Sequence, residues 1–101
     1  MMQTKPIAIS PAAAQDLDDA YFWYERKKRG LGVRFLASIN VALQSIQRTP
    51  AGYQSVYQNY RKAVVRVFPY VIFYKEEEER ISVSAVFHTS RNPESWQDRL
   101  Q

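Results

Sequence analysis

The chain has 101 residues, 46% of them hydrophobic and 24% charged, with a formal net charge of +4, a single His and no cysteine. This composition sets one globular domain, residues 1–101, with one small core. It excludes a disulfide framework, thiolate metal sites and a His-rich metal cluster, and no apolar run approaches the roughly 20 residues of a membrane helix. The positive excess suits nucleic acid, a ribosome or an acidic protein partner, and many small soluble domains carry as much. The opening MMQTKPIAIS lacks the long apolar core of a secretory signal, so a cytoplasmic setting is expected.

Lys5 to Ser10 alternates apolar and polar residues and reads as a short strand. Ser10-Pro11 is a helix start, because Ser can cap free N–H groups and Pro lacks an N–H where none is needed. Asp16, Asp18 and Asp19 sit early in that helix, at the end that favours negative charge. Ala13, Leu17, Ala20, Tyr21 and Tyr24 follow helical spacing, and Arg26 to Arg29 fill the last turn before a stop at Gly30. A second helix opens at Leu31 or Gly32, carries Gly32, Phe35, Leu36, Ile39, Leu43 and Ile46 on one stripe, and ends by Pro50. The short connection makes the two an antiparallel hairpin. Ala51 to Asn59 reads as a loop.

Tyr60 to Arg91 then holds three runs of Val, Ile, Phe and Tyr, broken at Phe68-Pro69-Tyr70 and at the charged tip Glu76 to Arg80. Such runs with short breaks predict a three-stranded antiparallel meander. Alternation puts Ile81, Val83, Ala85 and Phe87 toward the helices, and Ser82, Ser84, Val86 and His88 outward. In the first strand Lys62, Val64, Arg66 and Phe68 share a face, taken as the outer one; Arg61, Ala63, Val65 and Val67 share the other. The middle strand is apolar on both faces, so its second face needs a cover, either the C-terminal segment or another chain. Pro93 opens a short helix, Glu94 to Leu100, anchored by Trp96. The fold class is α+β, with the helical hairpin packed on a mainly antiparallel sheet.

One basic constellation carries chemistry: Lys62, Arg66, His88 and Arg91, with Arg61 beside them. Arginines hold phosphates, and an imidazole moves protons near neutral pH. Together they could cleave RNA by driving a 2′-hydroxyl onto the adjacent phosphate. The plainer reading is that His88 bonds a nearby backbone group or carboxylate and the arginines pair with an acidic partner. A second cluster is Tyr21, Phe22, Trp23 and Tyr24. A helix cannot bury four consecutive aromatics on one side, so Phe22 and Trp23 are left to meet Trp96, a nucleic-acid base or a protein partner.

Several motifs stand in a familiar order: Asp16-Leu17, Trp23-Tyr24-Glu25, Gly30-Leu31-Gly32, Arg34-Phe35, Pro50 with Tyr53, Tyr60-Arg61, Phe68-Pro69-Tyr70, Ile72, Tyr74, Ala85-Val86-Phe87-His88, Arg91-Asn92-Pro93 and Trp96. In this the chain resembles the RelE/ParE superfamily of bacterial type II toxin–antitoxin toxins, often called plasmid-stabilisation proteins. The resemblance implies a toxin neutralised by a cognate antitoxin, whose C-terminal segment covers a basic groove. It also implies one of two activities. RelE-like members cut mRNA on the ribosome; here His88 would be the acid/base, with Arg61, Arg66 and Arg91 on phosphate. ParE-like members poison DNA gyrase without being nucleases, and the same arginines would serve the antitoxin. Lys62, Phe22, Trp23 and Trp96 are the expected partner contacts, and no cofactor or metal is expected. The final segment lacks the late Tyr of many RelE-like nucleases, and Ala51 to Asn59 has no Lys or Arg.

Overall fold

A computed structural model describes residues 4–90 and 96–100. The order is β1 (Ile7–Ile9), α1 (Pro11–Lys27), α2 (Leu31–Arg48), a 3-10 turn (Pro50–Gly52), β2 (Gln54–Tyr57), β3 (Tyr60–Val64), β4 (Tyr70–Glu76), β5 (Ile81–His88) and α3 (Trp96–Leu100). The five strands form one sheet in the order β1-β5-β4-β3-β2. The meander β3-β4-β5 is antiparallel, and β1 joins β5 in parallel.

The hairpin forms as its end signals dictate. The Ser10 hydroxyl accepts the Ala13 N–H at 3.0 Å. Gly30, at φ 87°, turns the chain between the helices, a conformation that favours glycine. Glu25 on α1 then caps α2: its carboxylate accepts the N–H of Gly30 at 3.2 Å and of Gly32 at 2.8 Å. Gly32 permits close helix contact, since a Cβ there would lie 2.6 Å from the Tyr21 carbonyl oxygen. Tyr24 and Phe35 meet across the hairpin and pack with Phe68 from the β3–β4 turn and Tyr70 from β4.

The hairpin covers one sheet face, and α3 covers part of the other. Ile72, Tyr74, Ile81, Val83 and Val86 belong to the hairpin-side core. Val71, Phe73, Ala85 and Leu100 form a second core, flanked by Phe87 and Trp96. The Trp96 ring stacks on Phe73 at 5.2 Å, so the C-terminal segment is a cover for the doubly apolar β4. The expected helix start at Pro93 and Glu94 lies outside the described residues.

Three expectations need correction. Gln54–Tyr57 is a strand, not loop: it pairs with β3 through a two-residue turn in which Gln58 takes φ 50°. The first meander strand ends at Val64, so alternation does not extend to Val67 and Phe68. Phe68 is buried against the helices and Val67 is 81% exposed. Most consequential, β5 carries a bulge. Phe73 pairs with Ala85 but Tyr74 pairs with Val83, leaving Ser84 as the extra residue. A bulge shifts the alternation by one. Ile81 and Val83 face the hairpin as expected, but beyond Ser84 it is Val86 that does so, while Ala85 and Phe87 face α3.

Candidate functional site

The bulge redirects His88. It pairs with Tyr70, a hairpin-side residue, and the two rings meet edge-on at 5.2 Å. His88 therefore lies toward α1 rather than on the outer face. The Ser90 N–H donates to His88 Nδ1 at 3.0 Å, which places the proton of the neutral ring on Nε2.

A hollow of about 600 Å³ opens here between α1 and the end of β5. Its walls are Asp16, Asp19, Ala20, Phe22, Trp23 and Arg26 from α1, and Tyr70, Val86, Phe87 and His88 from the sheet. Asp16, Asp19, Trp23 and Arg26 follow one another at steps of three, four and three, so a single helix face carries them. Phe22 is 56% exposed. Trp23 packs edge-on with Tyr24, and the Lys27 ammonium sits 4.8 Å from its ring centre. Asp16 is committed to structure: it accepts the Val86 N–H and an Arg99 N–H.

A smaller hollow, about 170 Å³, lies on the α3 side of the same strand end. Lys62, Phe73, Phe87, His88, Thr89 and Trp96 are among the residues that line it. His88 thus stands between two hollows, one holding Phe22 and Trp23, the other Lys62 and Trp96. Trp96 does not meet Phe22 or Trp23; it stacks on the opposite sheet face.

The expected arginines are elsewhere. Arg61 pairs with Tyr74 on the hairpin side, and its guanidinium donates to the Tyr53 carbonyl at 2.6 Å. Burial pushes the Tyr74 hydroxyl up to about 12, against the pull of Arg61. That hydroxyl donates to the Pro50 carbonyl at 2.5 Å. Arg66 lies with Arg48, Val41, Tyr53 and Val64 in a hollow of about 560 Å³ between α2 and the sheet. Lys62, opposite Phe73, is on the α3 side. Lys62, Arg66 and His88 therefore do not project from one face as expected. Arg91 lies outside the described residues. The sequence reading missed Arg26 and Tyr70 as walls of the His88 hollow; the helical spacing of Asp16, Asp19, Trp23 and Arg26 was the available signal.

Comparison with known proteins gives the class. A family model described as the ParE toxin of type II toxin-antitoxin system, parDE, matches residues 7–93. The chain belongs to this family of toxins. Among solved structures, one described as the chromosomal ParDE toxin–antitoxin system from P. aeruginosa superposes with a TM-score of 0.74 at 17% identity, covering 84% of this chain and 96% of that one. That likeness establishes the shared fold. No curated protein matches the sequence.

Proposed function

We propose that this toxin arrests growth by binding a protein target, DNA gyrase, rather than by cleaving mRNA, and that a cognate antitoxin neutralises it. The supporting observation is the make-up of the His88 hollow. Among the described residues it holds two carboxylates, Asp16 and Asp19, one arginine, Arg26, and four large aromatics, Phe22, Trp23, Tyr70 and Phe87. RNA cleavage needs cationic groups converging on one phosphate beside the acid/base. Arg61 and Arg66 line neither this hollow nor the one beyond the strand. An aromatic surface edged by charges of both signs suits a protein partner better than a phosphate chain.

The likeness to ParE-like sequences directs the reading to gyrase. Purified toxin added to gyrase and relaxed plasmid should block supercoiling, and purified antitoxin should restore it. Undiminished supercoiling at toxin concentrations well above those that arrest cells would overturn the assignment.

A further inference from the structure

The turn between β3 and β4 contains a residue whose backbone and side chain are both out of place. Val67 takes φ 76°. Left-handed backbone is disfavoured for any residue with a Cβ and is an outlier for a β-branched one; Gly or Asn would enter it readily. The Val67 side chain is also 81% exposed, the highest value among the exposed large hydrophobics of the described residues.

The surroundings enforce this arrangement. Val65 and Phe68 are buried on either side. The Val65 N–H donates to the Tyr70 carbonyl at 2.9 Å, and the Tyr70 N–H to the Phe68 carbonyl at 2.8 Å. Phe68 packs edge-on against Tyr24 and Phe35. The Thr89 N–H donates to the Pro69 carbonyl at 2.9 Å, which joins the turn to the residue after His88. A turn pinned at four points thus presents an isopropyl group to water at a backbone angle that suits a different residue. Strain of this kind gathers at contact and switch sites.

We propose that Val67 is a target-contact residue, an apolar knob that enters an apolar socket on the toxin's protein target. This rests on the reading of the chain as a protein-binding toxin. The side chain itself argues for protein: it has no charge to meet a phosphate and no ring to stack on a base. Its stiff χ1 loses little freedom on burial. Exposed Arg66 precedes it, with no hydrogen bond or ion pair among the described residues, and Arg is enriched in protein interfaces. The Thr89–Pro69 bond ties the turn that carries the knob to the end of β5 beside His88.

The test replaces Val67 by Asn, by Gly and by Ile, and measures melting temperature together with growth arrest per amount of folded toxin. Val67→Asn should melt at or above the wild-type temperature, because Asn accepts the left-handed angle. Arrest by Val67→Asn and Val67→Gly should need roughly tenfold more toxin, the loss expected for one buried valine side chain. Val67→Ile should retain toxicity. Undiminished arrest by Val67→Asn overturns the proposal, and so does a lower melting temperature for that variant, which removes the strain premise. Wild-type transcripts are followed in parallel: transcript cutting would sink the protein-target reading itself, whereas intact transcripts with fully toxic Val67→Asn would sink only the role of Val67.

Discussion

Asp16 on α1 accepts the N–H of Val86, just past the β5 bulge, at 2.9 Å. The same oxygen accepts an N–H from Arg99 on α3 at 2.6 Å, in an ion pair with little exposure on either side. One carboxylate therefore joins a helix on one sheet face, the strand after its bulge, and a helix on the other face. Hydrogen bonds to a charged group are stronger than neutral ones, and removing the acceptor leaves both donors stranded. Asp16→Ala should cost about 2–4 kcal/mol in denaturant unfolding, and Arg99→Ala less, since Asp16 keeps Val86. Equal stability of Asp16→Ala and wild type would contradict this assignment.

Gly32 should be intolerant of any side chain. A methyl group there would press on the Tyr21 carbonyl and the Glu25 side chain, and would displace the carboxylate that caps α2. Gly32→Ala is expected to lose about 2–3 kcal/mol, even though Ala is the better helix former. Thermal unfolding checks it; a more stable variant would show that the helices need not approach so closely.

Tyr74 gives a pH signature. Its folded pKa, about 12, lies above the ordinary 10.0 because burial disfavours the phenolate. The raised value means that its stabilisation is complete below pH 10 and is lost as pH rises through about 12. Tyr74→Phe removes the bond to Pro50 and should cost about 1 kcal/mol at neutral pH. The variant should also lose stability less steeply between pH 10 and 12, which parallel unfolding curves would reveal.

Trp96 should matter to the fold through the α3-side core. Its ring covers Phe73 and approaches Tyr57. Trp96→Ala should destabilise by about 2–4 kcal/mol and increase binding of an apolar dye, because the second face of β4 loses its cover. An unchanged melting temperature would mean that α3 contributes little to that core.

Local signals were legible in the chain. Ser10-Pro11, Gly30 and Pro50 mark the helix ends because capping and turn chemistry act over a few residues. The doubly apolar run Val71 to Tyr74 announced a second cover. The Ser84 bulge was not legible, because Ser82-Val83-Ser84-Ala85 alternates without a break, and the slip exists only in pairing with β4. That one residue moved His88 to the hairpin side, although it still borders the α3-side hollow that Lys62 lines. The strand Gln54–Tyr57 was missed for a related reason: its apolar residues, Val56 and Tyr57, are adjacent rather than alternating, and Gln58-Asn59 is not a strong hairpin pair.

The most direct measurement is a map of transcript ends after induction of the wild-type toxin and of His88→Ala. The account predicts growth arrest by both proteins, with no new ends in ribosome-bound mRNA. Ribosome-phased cuts by the wild type, lost together with toxicity in His88→Ala, would contradict it.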